Sequence, residues 1–396
     1  MSSSLDNIYY NTTFALRLNT NQMARLQEQV TTGSRINRPS DDPSASYRVL
    51  GLNTEKRSIG QYLNSITEII SKLEFSSTIV ENMNKNIGDA KLRITQITGG
   101  IYDDQARERT AEGMNDILEQ MVSLANTKHN NQYLYGGTRS STTPYSVTRT
   151  NGYITKVTYQ GSNENRDVEV APGVDASALQ VGADIFKSDE RSSPEFILGS
   201  TGIANGTGTS NVNGFTWLTV TGSAGNYNIS IDGGLTAVNT DGTDTNLAVT
   251  NSVTGEILYV DTTAITGPGV DLVSVSGTHD VFNTMITIRQ IFENDLGLNA
   301  TTQMQPMINK ALEALNEIGD LLLQNTVSVG SKIGFLDNLK DGLENQKYDT
   351  EDETTRLEEA DISQIAIDLS RYEVLYQMSL AMAGKLLSMS LLDFIR

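Results

Sequence analysis

Residues 45–97 read ASYRVLGLNTEKRSIGQYLNSITEIISKLEFSSTIVENMNKNIGDAKLRITQI. Ala45, Leu52, Ile59, Ile66, Leu73, Val80, Ile87 and Ile94 recur every seven residues without an exception. A companion series, Tyr62, Ile69, Ser76, Met83, Ala90 and Ile97, lies three residues further on. Together they occupy the a and d positions of a heptad repeat. At a rise of 1.5 Å per residue the spacing predicts a helix roughly 80 Å long. Alone, that helix would leave its seam in water, so it needs partner helices, from this chain or a neighbour. A strict seven-residue period favours a left-handed supercoil.

Upstream, Asp42-Pro43 marks the start of this helix. The residue before a proline avoids helical angles, Asp is a good N-cap, and Pro43 suits the first helical position. Before it, Tyr9, Leu16, Met23 and Val30 also step by seven, with Leu5, Ile8 and Leu26 beside them. That stripe predicts a helix over 5–32, with Gly33 at its C-terminal cap. Downstream, Gly99-Gly100 reads as a turn into another helix over 104–129, giving a hairpin of long helices. No proline occurs between Pro43 and Pro144, or after Pro306, which leaves both stretches free to be helical.

The C-terminal region repeats the theme. Phe282, Met285, Ile288 and Phe292 form one face, and Ile308, Leu315, Leu322, Val329, Leu336 and Leu343 step by seven. After an acidic patch at 351–361 comes an a/d ladder of Ile362, Ile365, Leu369, Tyr372 and Tyr376. Over 374–395 apolar residues fall on several faces at once, among them Leu380, Leu387, Leu391, Leu392 and Phe394. A helix of that kind must be buried on more than one side. Copies of the same chain are the simplest cover. The assembly residues expected from these patterns are Leu5, Tyr9, Leu16, Met23 and Val30 at one end. At the other they are Ile362, Ile365, Leu369, Tyr372, Tyr376, Leu380, Leu387, Leu391, Leu392 and Phe394.

Between the helical regions the period changes. Residues 153–159, 166–170, 215–220, 227–231 and 257–260 alternate as strands do, separated by Asn151-Gly152, Asp232-Gly-Gly234, Asp241-Gly242 and Gly267-Pro-Gly269. The expected fold is α+β. A long helical coiled-coil bundle is built from the N- and C-terminal regions, with a β-rich outer domain inserted.

The 396 residues carry a net charge of −19, and no Lys or Arg occurs between Arg191 and Arg289. Such a surface repels polyphosphate, which argues against nucleic acid. There is no cysteine, so disulfides and thiolate chemistry are excluded. The first residues lack a basic region followed by an apolar run, so no cleavable signal is expected. No stretch approaches the roughly 20 apolar residues of a membrane helix. The two histidines, His129 and His279, are far apart and are expected at the surface or at a domain boundary. Asp241-Gly-Thr-Asp244 reads as a polar turn rather than a cation loop, and the glycine-rich run 205–210 reads as a loop. No catalytic, cofactor or metal site is expected, and the chain is read as a structural protein rather than an enzyme.

Three passages then converge. Thr32-Gly-Ser-Arg-Ile-Asn-Arg-Pro-Ser-Asp-Asp-Pro43 resembles the loop of bacterial flagellins and their relatives, through Gly33, Arg35, Ile36, Asn37, Asp41, Asp42 and Pro43. Asn131-Gln-Tyr-Leu-Tyr-Gly-Gly-Thr138 and the end, with Leu387-Ser-Met-Ser-Leu-Leu-Asp-Phe-Ile395, are more like the hook-associated branch of that superfamily than like filament flagellin. The resemblance covers about 1–187 and 279–396, and about 188–278 resembles nothing recognisable. It implies an inner layer from 1–40 and 357–396, a long-helix bundle from 41–136 and 281–356, and an outer β domain over 137–280. It further implies an extracellular flagellar adaptor between hook and filament, exported through the flagellar type III route without a cleaved signal. The partners implied are other copies of the chain, another hook-associated protein, flagellin and an export chaperone. The terminal helices are then expected to be poorly ordered until they dock. The alternatives are filament flagellin itself, or an adhesin or glycan-binding role for the middle domain.

Overall fold

The computed structural model describes residues 2–98 and 104–394, apart from the side chains of residues 2–6, 8, 9, 98, 178, 300, 301 and 386–394. Among the described residues the α-helices are α1 (Ser2–Thr32), α2 (Pro43–Thr98), α3 (Asp104–Ala125), α4 (Gly182–Phe186), α5 (Val281–Glu293), α6 (Gln305–Glu358) and α7 (Ile362–Phe394). The first strands are β1 (Lys128–His129), β2 (Gln132–Tyr133), β3 (Tyr145–Thr150), β4 (Tyr153–Tyr159), β5 (Arg166–Ala171), β6 (Val174–Leu179), β7 (Glu195–Phe196) and β8 (Ala204–Asn205). They are followed by β9 (Gly214–Ser223), β10 (Asn226–Ser230), β11 (Val238–Thr240), β12 (Leu247–Thr250), β13 (Ile257–Asp261) and β14 (Gly269–Val275). The fold is α+β. The turn expected at Gly99-Gly100 lies outside the described residues.

The chain divides into two compact units, residues 1–64 with 339–396, and residues 65–338. In the first, Ala45, Val49 and Ile59 of α2 and Leu343 of α6 are buried. Arg48 meets Glu353 at 2.7 Å and Lys56 meets Glu351 at 3.6 Å, so part of the acidic patch is spent on pairing α6 with α2. Exposed ion pairs contribute about 0–1 kcal/mol each, so the apolar seam does most of the holding.

In the second unit Ile66, Leu73, Val80, Ile87 and Ile94 of α2 and Ile308, Leu315, Leu322, Val329 and Leu336 of α6 are all buried. Ser76, the polar member of the companion series, is buried too. Its hydroxyl donates to Gln180 Oε1 at 2.7 Å and lies 3.0 Å from Tyr135 Oη, so the buried oxygen is satisfied. Tyr135 belongs to the Asn131–Thr138 passage, which thereby pins the chain after α3 to the α2 seam. α3 ends at Ala125, four residues short of the expected His129. The reason is local: Asn130 (φ 48°) and Asn131 (φ 64°) form a two-residue turn that pairs β1 with β2. Consecutive positive φ angles are the signature of a tight hairpin turn. Asn151 and Gly152 do the same between β3 and β4.

Strands β11-β10-β9-β14-β7 form a five-stranded sheet and β12-β13-β8 a three-stranded one. Leu218 and Val220 of β9 join Leu258, Val260, Val273 and Val275 in a core between these strands. Phe215 and Trp217, on the other face of β9, pack with Leu272 into the helical core, where Trp217 Nε1 donates to Gln290 Oε1 of α5 at 3.0 Å. The segment 188–278 therefore has a core of its own and also shares one with the helices. Asp241 accepts the Thr243 N–H and hydroxyl, making the expected polar turn.

His279 lies at the boundary between β14 and α5, one of the two placements expected, and it is not at the surface. It is 1% exposed, packs with its ring tilted 55° to that of Phe215 at a centroid distance of 4.6 Å, and has Ser274 Oγ 3.3 Å from Nε2. Burial, with a lesser contribution from Lys310, pushes its pKa down to about 4, so the ring is neutral. Glu317 of α6 accepts the His279 and Gly277 N–H groups and anchors this corner.

Candidate assembly interface

The two ends of the sequence meet in the first unit. Ala360 N–H donates to the Gly33 carbonyl at 3.1 Å, and further along Asn19 meets Ser379. α1 and α7 therefore run antiparallel. Leu16, Met23 and Leu26 of α1 and Leu369, Tyr372 and Tyr376 of α7 are half-buried, and Ile365 is buried. These are the positions a heptad places on one face, so the ladder packs α1 against α7.

The structure thus divides the residues expected at the assembly surface. Leu16, Met23, Ile365, Leu369, Tyr372 and Tyr376 are drawn inside the pair. Val30, Ile362 and Leu380 remain exposed. The side chains of Leu5, Tyr9, Leu387, Leu391, Leu392 and Phe394 lie outside the described residues. A second set is open to solvent: its α7 members fall in the 374–395 run expected to be apolar on several faces, and its α1 members were not singled out from the sequence. Tyr10, Phe14 (61% exposed) and Leu18 form one row on α1, and Val374, Met378 (60%) and Met382 form another on α7. Both rows step by four. At about 3.6 residues per turn that spacing keeps side chains on one side of a helix. The α1 row was present in the sequence but was hidden by the stronger seven-residue stripe beside it.

The loop between α1 and α2 is built as a clasp. Gly33 takes φ +69° and returns its N–H to Gln29 O at 2.9 Å, closing α1. The αL region costs an L-residue about 1–2 kcal/mol, which is why glycine stands here. Arg35 N–H donates to the Glu358 carbonyl at 2.6 Å, and its guanidinium reaches Leu357 O and Asp42, both at 3.1 Å. Asp41 Oδ2 accepts the N–H groups of Asn37 and Arg38. Asp42 Oδ1 accepts the Ala45 N–H at 3.0 Å and caps α2, which starts on Pro43. Ser34 and Ile36 close a small turn through the Ser34 hydroxyl. The Arg38 N–H, then the Asn37 N–H and nearby Arg25, hold the Asp41 carboxyl below its ordinary range. The Ala45 N–H and then Arg35 do the same for Asp42. The clasp therefore joins four helix ends: the end of α1, the start of α2, the end of α6 and the start of α7.

This arrangement offers packing and pairing, with no assembled set of reactive groups. Among the described residues no three His, Asp or Glu side chains converge so as to hold a metal ion. No described helix is long and apolar enough to cross a membrane.

Paired terminal helices, a seven-residue seam and the clasp give an architecture of long helices joined at their ends. Residues 4–140 match the bacterial flagellin N-terminal helical region. More particularly, the chain is similar to flagellar hook-associated protein 3. It is 27% identical to that of Salmonella typhimurium strain LT2 over 169 residues, 41% of this chain and 50% of the relative. It is 28% identical to that of Escherichia coli K12 over 120 residues, 30% of this chain and 38% of the relative. The chain thus spans half or less of the curated relatives it matches. The fold is shared with a flagellar hook-associated protein 3 from Legionella pneumophila (TM-score 0.53, 15% identity, covering 77% of this chain and 98% of that one). It is also shared with a putative flagellar hook-associated protein from Vibrio parahaemolyticus (TM-score 0.51, 15% identity, 81% and 100%).

Proposed function

We propose that this chain is a structural subunit of the bacterial flagellum that joins hook to filament. The observation that carries the reading is the pair of uncovered apolar rows, Tyr10–Phe14–Leu18 and Val374–Met378–Met382, on helices already paired by their other faces. Burying them against neighbours gains roughly 25 cal/mol per Å2 of apolar surface. The neighbours are other copies, a further hook-associated protein on the hook side and flagellin on the filament side. Export through the flagellar type III route, with a chaperone shielding α7, fits the same apolar face. Immunogold labelling of intact flagella tests the reading. One band at the hook end is expected. Label all along the filament would instead make the chain a filament flagellin, the alternative that the match of residues 4–140 also fits.

A second reading concerns the β domain. Asp232 clamps two neighbouring turns, accepting from Thr236 on one side and Ser252 on the other. Each turn presents an exposed aliphatic side chain, Leu235 and Val253. A rigid apolar tip of this kind suits adhesion to a surface. Leu235→Ser with Val253→Ser should then lower cell attachment while leaving flagella intact. Unchanged attachment would remove this role.

A further inference from the structure

The uncovered side of α7 owes its apolar character to few residues. Between Arg371 and Lys385, both exposed, its large apolar side chains are Val374, Leu375, Met378 and Met382. Two of these four are thioethers, four residues apart and so on the same side of the helix. Met378 is 60% exposed and Met382 66%. The other methionines are placed differently. Met83, Met114, Met121, Met285, Met304 and Met307 are fully buried, and Met23 is half-buried on α1. Met1 and the side chain of Met389 lie outside the described residues. The chain has no cysteine, so all its sulfur is thioether.

Nothing in the helix itself calls for methionine at 378 and 382, because Leu has a similar helix propensity and is also apolar. What methionine adds is a sulfur lone pair, here open to solvent. That sulfur attacks one oxygen of hydrogen peroxide. An S–O bond forms, the O–O bond breaks, and the other oxygen leaves as water with the proton of the transferred hydroxyl. Sulfur loses two electrons and peroxide gains them. The product, a sulfoxide, is a polar group in place of a flexible apolar one. Reduction by two thiols returns the thioether, releases the oxygen as water and leaves a disulfide between the reducing thiols.

We propose that Met378 and Met382 are an oxidation site that controls the polarity of the uncovered side of α7: peroxide converts both to sulfoxides and lowers association through that side, and thiol-dependent reduction restores it. The buried sulfurs are spared, so the fold persists while the surface changes. The site works on the subunit before docking, since burial against a neighbour would shield the same two sulfurs. The inference rests on the proposed function in that the uncovered side is the one neighbours would bury.

Hydrogen peroxide applied to the full chain tests it. Sulfoxides are mapped over time by peptide mass spectrometry, and the same samples are run on a hydrophobic-interaction column and in sedimentation. Met378 and Met382 should oxidise about tenfold faster than the six buried methionines. Column retention should fall, and association should weaken about tenfold. Methionine sulfoxide reductase with dithiothreitol should restore both. In Met378→Leu with Met382→Leu, peroxide should change neither readout, each chain being compared with its own untreated sample. If that double variant misfolds by circular dichroism, the single variants decide, each losing about half of the response. Three results would overturn the proposal: equal oxidation of exposed and buried methionines, an oxidised chain that keeps its retention and association, or an undiminished response in the Leu variants. An untreated chain that does not associate would sink the functional reading alone, because mapping and retention still decide this one.

Discussion

Gly33 and Gly277 share a positive φ but answer to different constraints. At Gly33 a Cβ would meet nothing within 4 Å, so Gly33→Ala meets only the cost of the αL region, about 1–2 kcal/mol. At Gly277 a Cβ would run into the Glu190 backbone carbonyl, and that backbone is held in place by Glu190 N–H donating to Gly277 O at 2.6 Å. Gly277→Ala should therefore destabilise by several kcal/mol, on the order of 4, and urea titration of the two variants separates strain from collision. Equal losses would show that the 190–277 contact yields easily. His279 gives a second residue-scale prediction. Its pKa falls from 6.5 to about 4 on folding. The unfolded chain thus takes up the proton first, and stability is lost as pH falls from 6.5 towards 4, by about 3 kcal/mol in all. His279→Gln should flatten the melting temperature across that window. Asp41 and Asp42 are depressed, so the stability they contribute goes only at lower pH, as each carboxylate is protonated below its ordinary range.

Helices carry the contrast between stability and assembly. Leu315 is fully buried in the α6 seam, so Leu315→Ala should cost about 3 kcal/mol. Phe14 and Val374 are exposed, so Phe14→Ser and Val374→Ser should move stability by no more than about 0.5 kcal/mol. Chemical denaturation and sedimentation of the same samples check both halves: the seam variant should lose stability, and the surface variants should lose association. Most of the long helices were legible because a period of seven is hard to produce by accident over so many residues. The early end of α3 was not, because the turn-forming residues are two asparagines with no glycine beside them. β14 escaped for another reason. It lies between β9 and β7 with Leu272 facing one core and Val273 and Val275 the other, so no alternation of polar and apolar residues marks it. At the interface, the stripes gave the inner faces of α1 and α7 and the many-sided apolar run over 374–395 pointed to an outer face of α7, while Tyr10 and Phe14 went unread. They look like ordinary apolar residues until the structure shows that the chain leaves them bare.

At the scale of the molecule, the two ends of a 396-residue sequence meet through residues some 360 positions apart, as Asn19 and Ser379 do. Periodicity could show that each end needs a partner helix. It could not choose the partner, because every seam in the chain has the same period; only the resemblance of the loop pointed to the pairing. The same molecule carries a net charge of −19, which sets copies against one another. Two drives for self-association then predict opposite responses to salt. If copies are held by ion pairs such as those of Arg48 and Lys56, screening weakens them. If they are held by the apolar rows of α1 and α7, screening removes the repulsion and leaves the attraction. At about 0.15 M salt the screening length falls to roughly 8 Å. Association followed by light scattering should therefore strengthen as salt rises from about 0.01 M, where the screening length is roughly 30 Å, to 0.15 M. The rise should vanish in Phe14→Ser with Val374→Ser, since that variant keeps the charge and lacks the attraction. Weakening with salt in the unaltered chain would transfer the driving role from the apolar rows to charge pairing.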